Sequence, residues 1–281
     1  MKDKFTDTNI PQNQKSDVYQ YTTFVIHYSK LIDRFTFLSK QLNKSSINAT
    51  WITEKNFKTY EWSDLGSGSV FGISEKILGM DLGVNSRSLV TSRRKARMQG
   101  WILYARSFMA KSGNRLTTGS LPNKVKLEQK WLEALSMNIT ALEMGVRSER
   151  EWILILEDDA LPNKGAFELT NRICDNYSGK TWINLNSGAN LKWTNSDPKP
   201  NEFGLFKIKP AATRCSVAVL VSKELAIEML KNIRKFGLPN WLPHDVCFQA
   251  LLRKTGAKAY WQEPASFGQG SEDGAYKSNL R

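Results

Sequence analysis

Residues 152–160 read WILILEDDA, and the reading of this stretch decides the fold. Trp152 to Leu156 form an unbroken run of aromatic and branched aliphatic residues with no turn former. A strand buried on both faces needs such a run. It stops abruptly at Glu157, Asp158 and Asp159. Three carboxylates cannot all be buried unpaired, because each ion would lose its hydration. Their expected place is the carboxyl edge of an open α/β sheet, where ligands bind. Alternation along the strand puts Glu157 and Asp159 on one side and Asp158 on the other. A pair of hard oxygen donors suits Mg²⁺ or Mn²⁺, and such an ion suits a diphosphate. The plain alternative is a strand-to-loop junction in which Asp159 caps a turn.

Upstream, TTFVIHY (22–28) reads as a strand, Ser29 as a cap, and Leu31, Phe35, Leu38 and Leu42 as one face of an amphipathic helix. ATWIT (49–53) reads as a second strand, so the opening is a βαβ unit with a parallel pair and a right-handed crossover. Residues 1–21 read as a flexible lead. Pro122 opens a long helix with the stripe Leu127, Trp131, Leu135, Ile139 and Leu142, and Gly145 is expected to end it. Downstream, a helix is expected from about Gly165 to Asp175, then strands at WINL (182–185), LFKIKP (205–210) and SVAVLV (216–221). Ser222 is placed to cap a helix bearing Leu225, Met229, Leu230 and Ile233. A loop and helix at 238–256 and a strand at AKAYW (257–261) complete the core. The fold class is α/β: a single Rossmann-like domain over 22–281 with a mostly parallel sheet and an irregular insertion at 54–120.

The 281 residues carry a formal net charge of +13 and are 41% hydrophobic, so a packed core and an anionic partner are both expected. The three cysteines show no metal-ligand or CxxC spacing, which fits free thiols in a reducing compartment. No stretch approaches ~20 consecutive apolar residues, so no spanning helix is expected. Positive charge is densest over 87–130, where Trp101, Tyr104 and Phe108 are interleaved with Arg and Lys. A solvated face and an anionic membrane or phospholipid surface stand level as readings of this region. Nucleic acid ranks below them, for want of any recognition module.

Asp245 lies at the start of the last helix, where Asp is a preferred cap. It is also placed to serve as a general base. His244 reads first as a loop residue, with metal ligand and acceptor contact as alternatives. Arg34 and the strand end His27-Tyr28-Ser29 stand at the first βα junction, a place for a nucleotide base; the plain alternative for Arg34 is a helix-surface charge. In the tail, Gln269, Gly270 and Ser271 are expected to form a turn offering backbone N–H groups to a diphosphate, with Lys277 and Ser278 clamping it. The competing reading of the tail is a disordered terminus.

These pieces together resemble family 25 glycosyltransferases, which include bacterial lipopolysaccharide galactosyltransferases. The resemblance rests on the opening strand and helix with Asp33-Arg34, on ALS (134–136) followed by ILEDDA (155–160), and on YWQEP (260–264) followed by GQGSEDGAYKSNLR. It covers most of 22–281. Two departures stand out. Met137 occupies a position where the family commonly has His, and 54–120 does not match the family's short connection.

The resemblance implies a GT-A fold and an inverting transfer from a UDP-sugar, most often UDP-galactose, to a glycan or lipid-linked saccharide. It implies that Glu157-Asp158-Asp159 stands for an Asp-x-Asp motif. Asp159 would bind Mn²⁺ or Mg²⁺, and Glu157 or Asp158 would touch ribose or support the metal. It also raises Asp245 from cap to base. The expected location is cytoplasmic and peripheral at the inner membrane face. Two other classes compete: a metal-dependent phosphoesterase or nuclease, poorly served by only two histidines, and a non-catalytic carbohydrate- or membrane-binding protein of the same fold.

Overall fold

A computed structural model of the chain describes residues 19–55, 121–187, 199–208, 215–236 and 244–276. The strands are β1 (Tyr21–His27), β2 (Ala49–Thr53), β3 (Trp152–Glu157), β4 (Ala160–Pro162), β5 (Thr181–Asn184), β6 (Leu205–Ile208), β7 (Ala218–Ser222), β8 (Lys258–Gln262) and β9 (Phe267–Gln269). The helices are α1 (Ile32–Lys44), α2 (Leu121–Arg147), α3 (Ala166–Asn176), α4 (Lys223–Phe236) and α5 (His244–Thr255). Seven strands form one sheet in the order β2-β1-β3-β7-β5-β8-β6, and β4 pairs with β9 in a separate ribbon.

The protein is α/β, and its sheet is mixed. β1, β2, β3, β5 and β8 run one way, while β7 and β6 run against them. The expectation of a mostly parallel sheet therefore holds for strand direction and fails at the centre. There β7 is antiparallel to both β3 and β5. β6 and β7, consecutive in sequence, are not neighbours: β6 lies on the far edge against β8. One consequence matters for function. β7 begins at the edge where β1, β3 and β5 end, so it delivers Cys215 to Val217 to that edge.

Helices cover both faces. Phe24, Ile26, Ile153 and Ile155 pack under α2, α4 and α5, against Leu135, Leu225, Met229 and Phe248. Tyr21, Val25, Leu154 and Leu156 pack under α1 and α3, against Leu38, Leu42, Phe167 and Ile173. The strict alternation in β1 and β3 fixes which layer each carboxylate after Leu156 can face.

Several local expectations are corrected. β1 begins at Tyr21, whose hydroxyl donates to the Phe167 carbonyl at 3.2 Å, so the lead ends earlier than residue 21. Ser29 does not cap α1. Its N–H and hydroxyl both go to the Glu54 carboxylate, which ties the exits of β1 and β2 together. Gly145 lies inside α2, not at its end. A Cβ there would stand 2.5 Å from Ile153 Cδ1, so helix and sheet touch through the missing side chain. Ser222 does cap its helix, accepting from the Leu225 N–H at 3.3 Å. Gly256, with φ +67°, follows α5 in the left-handed conformation that closes helices.

Phe267 is fully buried and β9 pairs with β4. Residues 56–120, which hold most of the basic region, lie outside the described residues, as do Lys277 and Ser278. Among the described residues no helix is long and apolar enough to cross a membrane.

Candidate active site

β3 delivers its three carboxylates to three different fates. Asp158 turns toward α1 and is 5% exposed. One oxygen accepts from Arg34 Nη1 at 2.7 Å. The other faces His27 Nδ1 at 3.0 Å and accepts the Tyr28 N–H at 3.2 Å. Asp158 is thus the pin that closes the β1–α1 junction onto β3, and both its oxygens are engaged by protein. Arg34 is no surface charge. With Leu38 and Leu42 it forms the buried stripe of α1, and its guanidinium lies 5.3 Å from the Tyr276 ring centre. His27 is wedged against Phe35 and Trp51.

Asp159 turns the other way, toward the tail. It is 4% exposed, and its Oδ1 has no hydrogen-bond partner. Burial, then the charge of Glu157, pushes its carboxyl up to about 6, against the pull of a hydrogen bond from Ser271 and the charge of Arg34. Ser271 Oγ in turn accepts from Gln269 Nε2 at 3.2 Å. The Asp159 carbonyl accepts the Gly270 N–H at 2.8 Å. The tail turn therefore wraps Asp159 from both ends.

Residues 269–273 do form a turn: Gly270 gives its N–H to the Asp159 carbonyl, and Glu272 and Asp273 give theirs to the Gln269 carbonyl. Gly270 is required at this point, because a Cβ would meet the Tyr276 ring at 2.3 Å and the Asp159 carbonyl at 3.2 Å.

Glu157, on the face of Ile153 and Ile155, points at α5. Its Oε1 stands 3.2 Å from His244 Nε2, whose side chain is 12% exposed. His244 is therefore not the exposed loop residue expected. It opens α5, its ring edge-on to Phe248. Burial disfavours its charge, and Glu157 and then Asp245 more than offset this, so the imidazole is raised above its ordinary value.

Asp245 follows at the same helix start. Cys215, just before β7, feels the charges of Asp245, Glu157, Glu272 and Asp159, and burial with these charges holds its thiol well above the ordinary range. Residues far apart in the chain thus act on one point. Cys215 is held there by its carbonyl, which accepts from Asn184 Nδ2 at 2.8 Å. Asn184 is itself fixed by Trp182 Nε1 at 3.0 Å. At φ +32° Cys215 is one of two described non-glycine residues with positive φ, a conformation concentrated at functional sites.

Sequence reasoning placed His27 at the first βα junction but not its pairing with Asp158. It missed Cys215, Glu272 and Tyr276 as site residues, and nothing local marked them. Tyr28 is half-buried, and burial raises its phenol, with Glu133, Glu157, Asp158 and Glu54 adding to the effect. Met137 is fully buried core.

The donor set fits a small divalent cation. Glu157, which faces His244, and Asp159, whose Oδ1 has no hydrogen-bond partner, supply two carboxylates, and Mg²⁺ or Mn²⁺ is commonly held by one or two carboxylates plus substrate phosphates. Among the described residues no three His, Cys, Asp or Glu side chains already close around one point. Comparison with protein-family models and with curated proteins finds no match to this chain.

Proposed function

We propose that the chain is an inverting glycosyltransferase that moves a hexose, with galactose first in line, from a UDP-sugar to a hydroxyl of a glycan or lipid-linked saccharide. The observation that carries this reading is that the start of α5, where Asp245 follows His244, is docked on the carboxylates at the end of β3, with His244 Nε2 3.2 Å from Glu157 Oε1. A displacement at a sugar carbon needs a base on one side and a stabilised leaving group on the other. The resemblance at ILEDDA and at the tail supports the donor class, and the mixed seven-stranded sheet is compatible with a GT-A fold.

In this reading Glu157 and Asp159 hold Mn²⁺ or Mg²⁺, which when bound stabilises charge on the departing diphosphate. Asp159 is kept in place by Ser271, Gln269 and Gly270. Asp158 with Arg34 and His27 fixes the loop at Tyr28, which borders the nucleotide. Asp245 takes the proton of the acceptor hydroxyl. The acceptor oxygen forms a bond to the anomeric carbon as the bond to the phosphate oxygen breaks, and UDP leaves with the electron pair. Lys277 and Ser278 are assigned to the diphosphate by the resemblance alone. The membrane-facing role of 87–130 is likewise a proposal.

The test is a panel of UDP-sugars incubated with Mn²⁺ or with chelator, on wild type and Asp159→Ala. Turnover of one UDP-hexose that requires both metal and Asp159 is expected. Turnover indifferent to both removes the metal role, and absence of both turnover and UDP binding removes the function.

A further inference from the structure

Asp158 and Asp159 are consecutive residues held from opposite sides, and a closed path of contacts joins the two sides. Arg34 Nη1 donates to Asp158 Oδ1 at 2.7 Å. The Arg34 guanidinium carbon lies 5.3 Å from the centre of the Tyr276 ring, within range of a cation–π attraction. The same ring rests on the backbone of Gly270, where a Cβ would collide with it and stand 3.2 Å from the Asp159 carbonyl oxygen. Gly270 donates its N–H to that carbonyl at 2.8 Å and accepts the Tyr276 N–H on its own carbonyl at 3.0 Å. One peptide bond then leads from Asp159 back to Asp158. From α1, Phe37 meets the Tyr276 ring edge-on, 6.5 Å between centres.

We propose that Tyr276 is a positioning residue for the nucleotide-sugar donor: its ring sets the spacing between the β1–α1 junction and the tail turn, and so holds the Asp159 carboxylate in register with Tyr28 and Arg34. The proposal rests on the reading of this edge as a donor site. Asp159 follows the end of β3, where the strand ladder no longer fixes the chain. Its Oδ1 has no hydrogen-bond partner. The tail turn is what aims this carboxylate, and Tyr276 is where that turn meets α1. The contacts of Tyr276 are made by its ring and its backbone N–H, so Phe serves as well as Tyr. Leu fills much of the volume but offers no aromatic face to the guanidinium.

The experiment uses the full chain with MnCl₂. UDP affinity by calorimetry and steady-state turnover of the UDP-hexose that wild type accepts are measured on wild type and on Tyr276→Phe, Tyr276→Leu and Tyr276→Ala. The Leu and Ala variants are expected to bind UDP at least fivefold more weakly and to raise KM for the UDP-hexose by a similar factor. Their kcat is expected to stay within about threefold, the pattern of lost donor binding rather than lost chemistry. Tyr276→Phe is expected to match wild type within about twofold in both. Hydrogen exchange on wild type forms a second arm: UDP is expected to protect residues 27–34 and 269–276 together.

Wild-type UDP affinity in Tyr276→Ala or Tyr276→Leu, or protection confined to one of the two segments, would overturn the Tyr276 assignment and leave the proposed function standing. Failure of wild type to bind UDP would overturn both. The exchange arm needs no substitution, so a variant that fails to fold does not decide the outcome.

Discussion

Asp159→Asn is expected to make the metal-free protein more stable at neutral pH, although it removes a candidate ligand. The native fold raises this carboxyl from its ordinary 3.8 to about 6, first through burial and then through Glu157. A group whose acid form is favoured by the fold contributes its stability at low pH. That contribution is full below about 4 and is lost as pH rises to about 6. At ~1.4 kcal/mol per tenfold change, the loss is about 3 kcal/mol. Asn does not ionise, so at pH 7.5 the variant avoids this cost. The Ser271 hydroxyl and the Gly270 N–H still find oxygen acceptors there.

The gain in chelator should reach up to about 3 kcal/mol, or roughly 5–10 °C in melting midpoint for a domain of this size. It should vanish near pH 4. Adding MnCl₂ should then raise wild type and leave the variant unmoved, because only a ligand that binds the folded form shifts the equilibrium. Melting curves at pH 4 and 7.5, with chelator and with Mn²⁺, read all of this. A variant no more stable than wild type at pH 7.5 in chelator would refute the reasoning, since Asp159 would then already have a countercharge.

Asp158→Ala should cost about 3–5 kcal/mol in denaturant unfolding, because it leaves Arg34 buried without its carboxylate; a loss under 1 kcal/mol would reduce the pin to a surface contact. Gly145→Ala, normally a gain of up to ~1 kcal/mol inside a helix, should instead destabilise by about 1–3 kcal/mol, because its Cβ meets Ile153. Trimming Ile153 to Ala in the same chain should recover part of that loss in a double-mutant cycle. Asp245→Asn should keep UDP-sugar affinity within about twofold and lower transfer by ~10²–10⁴-fold; unchanged transfer in a steady-state assay would return Asp245 to a helix cap.

Much of the fold was legible because its signals are local and periodic. β1, β2, β3, β7, the buried stripe of α4 and, in α2, Leu135, Ile139 and Leu142 followed from apolar runs and from spacing alone, while the side chains of Leu127 and Trp131 lie outside those described. The parallel β1–β2 pair followed from the βαβ order. The turning of Asp158 toward α1, away from Glu157, followed from the two-residue period of a strand, while Asp159 lies past the end of β3, in the turn that the tail covers. Where periodicity was read too simply, packing overruled it. Gly145 looked like a helix stop and is a helix–sheet contact. Phe35 looked like core and is 42% exposed, while Arg34 took the buried place.

The sequence by itself determined that a buried strand ends in three carboxylates. It could not determine what those carboxylates face, because that depends on strand order and on which helix start arrives at the edge. Only the tertiary structure set β7 antiparallel beside β3 and brought Cys215 to Glu157. It also docked His244 and Asp245 against that edge and folded the tail over Asp159. Long-range pairing carries no local signature in side-chain pattern. It is decided by which arrangement buries both sheet faces at once while leaving no backbone or carboxylate group without a partner, save the few that a ligand can satisfy.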